Sequence, residues 1–120
     1  MVDEIKGTQV VYYVSQAGSI PAMDFIASLD KSSRRKFFYT IGLLEKFGHL
    51  LGEPHAKYLG CSLFELRFTA KEGNIRALYF FAQRNKAVLT NAFVKKTAKT
   101  PRRELAIALE RRRDYLARHT

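Results

Sequence analysis

The stretch LFELRFTAKEGNIRALYFFAQRNKAVLTNAFVK (Leu63–Lys95) decides the fold. Apolar and polar residues alternate through three runs, Leu63 to Thr69, Asn74 to Ala82 and Ala87 to Val94, the pattern of half-buried strands. Lys71-Glu72-Gly73 and Arg84-Asn85 punctuate them, so two successive antiparallel hairpins are predicted. Because strand side chains alternate between faces, loop parity decides which residues sit together. A two-residue turn at Glu72-Gly73 sets Arg67 opposite Leu78, and a four-residue loop sets it opposite Arg76. Either way Arg67 and Arg76 share a face, while Phe64, Leu66, Phe68, Ile75, Ala77, Tyr79 and Phe81 share the other. A tight turn at Arg84-Asn85 pairs Phe80 with Leu89, Leu78 with Asn91, Arg76 with Phe93 and Asn74 with Lys95. Val88, Ala92 and Val94 then join the apolar face. Arg67, Arg76 and Lys95 are thereby expected around the ring of Phe93 at one end of the opposite face.

Working outward, Gln9 to Val14 reads as a first strand. Gly18-Ser19-Ile20-Pro21 starts a short helix through Phe25, Ile26 and Leu29. A second helix from about Asp30 presents Phe37, Ile41 and Leu44 with Phe38 beside them, and Gly48 stops it. Gly48 to Gly60 reads as a loop. Thr100-Pro101 opens a last helix with Leu105, Ala108, Leu109 and Leu116 on one side. Thr100 as N-cap puts Arg103, not an acid, at the third position, so the capping box is off by one. The order β-α-α-β-β-β-α predicts an α+β fold. Its four-stranded, mostly antiparallel sheet carries two N-terminal helices on one face, plus a C-terminal helix, and residues 1–120 read as one domain.

Composition narrows the setting. The chain of 120 residues is 47% hydrophobic, enough for a modest core, and no run reaches the ~20 apolar residues of a membrane span. MVDEIKG at the start is mixed in charge without an apolar stretch, so no secretory leader is expected. Cys61 is the single cysteine, which excludes an internal disulfide and suits a reducing cytoplasm. The net charge of +10 points to an anionic partner, nucleic acid before membrane or acidic protein.

The chemistry open to such a chain is limited. His49, His55 and His119 are scattered, with no pair at i,i+4 beside an acid, so no metal or other cofactor is expected. Neither a nucleophile triad nor a phosphate-cradling glycine loop is present. Like charges on neighbouring strands repel, so two arginines and a lysine around an aromatic ring call for a reason. One is a phosphate gripped by Arg and Lys, with Phe93 stacked on an unpaired base. The other is a solvated strand face neutralised by Glu65 and nearby acids. Cations alone can serve RNA cleavage, because the 2′-OH is a built-in nucleophile. Arginines stabilise the phosphorane charge, and a lysine of lowered pKa transfers the proton. Lys95, Lys96, Lys99, Arg102, Arg103, Arg111, Arg112, Arg113 and Arg118 add a basic stripe suited to a phosphate backbone.

Four strings carry a resemblance: LLEKFGHLLGEPHAKYL (Leu43–Leu59), LFELRF (Leu63–Phe68), NIRALYFF (Asn74–Phe81) and NAFVKKTAKTPRRELAIAL (Asn91–Leu109). In this order and spacing they resemble the phage-derived branch of the RelE/HigB toxin superfamily. The resemblance implies a type II toxin, a ribosome-dependent, metal-independent mRNA endonuclease restrained by a helix-turn-helix antitoxin. By position Arg76 looks like the superfamily's phosphate-contacting arginine, with Arg67 and Lys57 lining the same site and Lys95 and Lys96 at the strand end. Catalysis is thus expected from Arg67, Arg76 and Lys95, and RNA binding from Lys57, Phe93, Lys96, Lys99, Arg102 and Arg103. The general base stays open: His55 reads as loop structure, and Tyr79 fits by type but points to the apolar face. Two other readings stand beside the nuclease, a ParE-like toxin that binds DNA gyrase and a non-catalytic RNA-binding module.

Overall fold

Strand and helix signals are realised nearly where the alternation places them. The computed structural model describes residues 7–119. It runs β1 (Gln9–Tyr12), α1 (Pro21–Ala27), α2 (Lys31–Phe47), a 3-10 turn (Gly48–Leu50), β2 (Ala56–Gly60), β3 (Leu63–Ala70), β4 (Gly73–Ala82), β5 (Lys86–Lys95) and α3 (Arg102–Arg118). The expectation of no secretory leader rests largely on residues 1–6, outside the described residues. Among the described residues no helix is long and apolar enough to cross a membrane.

The class is α+β as expected, but the sheet has five strands, in the order β1-β5-β4-β3-β2. The extra strand, β2, lies in the segment read as loop, so the element order gains a β between α2 and β3. Its physical disguise is plain. As an edge strand it buries only Ala56, and Gly52 and Pro54 just ahead of it read as punctuation. β1 pairs with β5 in parallel, and every other pairing is antiparallel.

In β3–β4 the register sets Arg67 directly against Arg76, with Phe64 against Tyr79, Leu66 against Ala77 and Phe68 against Ile75. In β4–β5 the expected pairs Asn74–Lys95, Arg76–Phe93 and Leu78–Asn91 form, but the register slips by one beyond them. Thr90 is the extra residue of a β-bulge, so Phe80 meets Val88 rather than Leu89. The slip reverses parity: Ala87 and Leu89 enter the core under α1 and α2, and Val88 faces the opposite side. Buried Thr90 is held by its hydroxyl to the Leu78 carbonyl at 3.2 Å.

Two helices cover one face. Pro21 stands at the start of α1, where its missing N–H costs nothing. Asp30 caps α2, accepting from the Ser32 N–H at 3.2 Å. Phe37, Ile41 and Leu44 pack onto Ala56, Leu66, Ala77, Tyr79 and Leu89, while Phe38 stays exposed. Burial of each such large side chain contributes about 1.5–3 kcal/mol. Gly48 ends α2 at φ 51°, and a Cβ there would collide with Thr8 Oγ1.

α3 crosses the other face. Its buried stripe is Ala108 and Tyr115 with Leu105 beside them, packed on Leu63, Leu78, Phe80, Val88 and Phe93. Leu109 and Leu116, expected inside, are exposed. Tyr115 takes the inward position one heptad after Ala108, a role a polar-tipped aromatic does not advertise. Pro101 is the N-cap and no side chain caps the helix, so Thr100 does not serve as expected. The far end is latched to the segment just after β1: Tyr13 donates to Asp114 at 2.5 Å, and Arg118 binds Asp114 at 2.6 Å and the Val14 carbonyl at 2.5 Å.

Candidate active site

α3 covers only part of its face. The remainder, near the β3–β4 turn, exposes the ends of four strands, and parity aims the basic residues there. Arg67, Arg76 and Lys95 converge on one carboxylate. Glu65 Oε1 lies 3.4 Å from Arg67 Nε, 3.5 Å from Arg76 Nε and 3.9 Å from Lys95 Nζ. The Glu65 side chain is 1% exposed, those of Lys95 and Arg76 are 8% and 11%, and Arg67 opens to solvent at 23%. Its other oxygen, Oε2, accepts a short hydrogen bond from Thr100 Oγ1. Thr100 therefore caps the carboxylate rather than the helix.

One buried anion holds three cations, and among the described residues two positive charges remain uncompensated. Glu65 Oε1, Arg67 Nε and Arg76 Nε are buried without a hydrogen-bond partner among the described residues. Buried donors in that condition are free to meet a ligand oxygen. Burial lowers the pKa of Lys95, Glu65 opposes that shift, and Arg76, Arg67 and Lys57 reinforce it. Arg76 is lowered in the same way, first by burial, with Glu65 opposing and Arg67 adding. The lysine is thus eased toward the neutral form a proton acceptor needs.

Two recesses flank the cluster. A cavity of about 320 Å³ is lined by Lys57, Glu65, Lys95, Lys99 and Thr100 among others. Lys57 stands opposite Glu65 across β2–β3. A second, of about 370 Å³, takes in Arg67 and Arg76 with residues of α2. Of the expected binding residues, Lys57 and Lys99 are brought to the cluster. Lys96, Arg102 and Arg103 are exposed but line neither recess. Phe93 is a correction: at 9% exposed it packs beneath α3 with Leu78 and Ala108, so its face is not open to a base.

The basic stripe is also partly spoken for. Arg111 donates to the Thr90 carbonyl at 2.9 Å, Arg112 to the Cys61 carbonyl, Arg113 pairs with Glu110 and Arg118 with Asp114. Arg111 and Arg112 thereby pin α3 to the sheet and to the β2–β3 turn, whereas the Arg113 and Arg118 pairs lie within the helix. What the sequence reading undervalued is Glu65. It lies two residues from Arg67 and so on the same face, but nothing in the string tells a buried hub from a solvated neutraliser. Among the described residues no three His, Cys, Asp or Glu side chains gather where they could hold a metal ion.

Residues 24–113 match the family described as Phage derived protein Gp49-like (DUF891). The chain belongs to this family. The Gp49-like family is toxin-like and related to the RelE/HigB superfamily. No curated protein matches the chain. The Gp49-like span contains Glu65, Arg67, Arg76, Lys95 and Thr100, whereas Tyr13, Asp114 and Arg118 of the latch fall outside it.

Proposed function

We propose that this Gp49-like protein is a toxin that cleaves mRNA on the ribosome, with Arg67, Arg76 and Lys95 as its catalytic residues. The observation that carries this reading is the convergence of those three cations on buried Glu65 with an excess of positive charge. An RNA phosphate seated at Arg67 and Arg76 receives two forked guanidinium groups, which stabilise the charge that builds on its non-bridging oxygens. The neighbouring 2′-OH attacks phosphorus, the P–O5′ bond breaks, and a 2′,3′-cyclic phosphate and a 5′-OH result. Lys95, in its neutral form, takes the 2′-OH proton and delivers it to O5′. Glu65 is a positioning residue that holds the cations together while the phosphate is absent. DNA, lacking the 2′-OH, is not a substrate. A helix-turn-helix antitoxin is the restraining partner in this reading, supported by the relation to RelE/HigB toxins.

The test is controlled expression of wild type and Arg76→Ala, with mRNA 5′ ends mapped in translating cells. New ends within translated messages, lost in the variant, are expected. Growth arrest with intact mRNA would refute cleavage and favour a gyrase-binding toxin.

A further inference from the structure

β2 stops at Ala56, opposite Leu66, so beyond that point the edge of β3 carries no fifth strand. The last tie is the Arg67 N–H to the His55 carbonyl, at 2.8 Å. Past it the edge of β3 faces α2, and the gap is the 370 Å³ recess. Lys36 and Tyr39 reach its wall from one side of α2, three residues apart as neighbours on a helix surface. The Lys36 ammonium donates to the Thr69 carbonyl at 3.2 Å, which fixes the helix against the strand edge. His55, Arg67 and the buried Arg76 also line it. Tyr39 is 68% exposed, an aromatic ring turned to solvent beside Lys36, His55, Arg67 and Arg76, and among the described residues no acidic side chain lines the recess. Phe93, the ring first expected to stack, is covered.

An open aromatic face, cations on both sides and a volume of this size suit a nucleotide rather than an apolar ligand. We propose that this recess is a subsite for one unpaired nucleotide flanking the scissile phosphate. Its base stacks on Tyr39, Lys36 holds its outer phosphate, and Arg67 and Arg76 share the inner phosphate with the catalytic cluster. The assignment rests on the RNA reading above and adds to it a base-binding element. It predicts a preference for strongly stacking purines at that position, since recognition is by ring area and not by base edges.

The experiment is binding of a fluorescein-labelled 2′-O-methyl oligoadenylate hexamer, which cannot be cleaved, to the full chain at low salt, read by anisotropy. Tyr39→Ala is expected to weaken binding about 5- to 150-fold, the range for loss of one aromatic stack. Tyr39→Phe should keep wild-type affinity, and Phe47→Ala, an exposed ring at the other end of α2, should change nothing. The same hexamer made abasic should bind wild type and Tyr39→Ala equally. Loss of affinity in Arg76→Ala with none in Tyr39→Ala would overturn the subsite and leave the RNA reading standing. Failure of the wild type to bind the hexamer at all would overturn both.

Discussion

Substituting Glu65 by glutamine keeps the shape of the side chain and its bond from Thr100 but removes the one negative charge in the cluster. Arg76 and Lys95, at 11% and 8% exposure, then lie buried beside each other without a counter-ion. Removing one partner of a buried ion pair costs about 3–5 kcal/mol, chiefly because an uncompensated charge stays behind. Arg67, at 23%, keeps part of its hydration and adds less. With an unfolding entropy of about 2.1 cal/mol/K per residue, a chain of 120 residues loses about 4 °C per kcal/mol. Glu65→Gln should therefore melt about 12–20 °C below wild type. Thermal unfolding by circular dichroism measures it. Inorganic phosphate should recover more of the loss in the variant than it adds to wild type, because an anion that binds only the folded state replaces the missing charge. Adding Lys95→Met to Glu65→Gln should also restore part of the stability, since it removes one stranded cation. A melting point within about 3 °C of wild type, with no extra effect of phosphate, would refute the assignment of Glu65 as the hub of the site.

Other outcomes follow from the cluster and from the latch of α3. Arg76→Ala should lower cleavage by about 100- to 1,000-fold while circular dichroism still shows a folded chain, because Glu65 retains Arg67 and Lys95. The single-turnover rate should rise with pH and level off below the ordinary lysine value of 10.5, since burial lowers Lys95. In Glu65→Gln that limb should move to still lower pH, because Glu65, the neighbour that raises the Lys95 pKa, is gone; an upward move would exclude Lys95 as proton acceptor. Asp114, held well below the usual carboxylate range first by Arg118 and then by Tyr13 and Gln16, stabilises the fold above its unfolded pKa and loses that effect as pH falls. Asp114→Asn should flatten the acid side of a melting-temperature profile, and an unchanged slope would show that the latch contributes nothing.

Periodicity carried the sequence reading a long way in the two central hairpins. Arg67, Arg76 and Lys95 were brought to one face by counting residues, and the β3–β4 register followed one of two counted alternatives. Three things escaped for physical reasons. β2 is a short edge strand with one buried residue, so it left no alternation to read. The bulge at Thr90 depends on how buried polar groups are satisfied, which a pattern of apolar letters does not encode. The inward stripe of α3 misled because Leu109 and Leu116 lie one residue beyond the buried Ala108 and Tyr115 and stay exposed. In the site, like charges announced that a ligand or a counter-ion was needed, and Glu65 as the buried centre came only from the distances.

The bulge makes β5 two segments of opposite phase joined at Thr90. Its first half answers to the helices over the core, and its second half delivers Lys95 to the Glu65 cluster. A point substitution leaves that phase untouched, so side chains on either half can be exchanged without turning the other. Deleting one residue at position 90 is different. It would bring the whole strand into step, and either Ala87 and Leu89 would leave the core or Lys95 would swing to the wrong side of the sheet. The spare residue thus acts as a phase shifter, and the position of Lys95 is a property of chain length as much as of sequence.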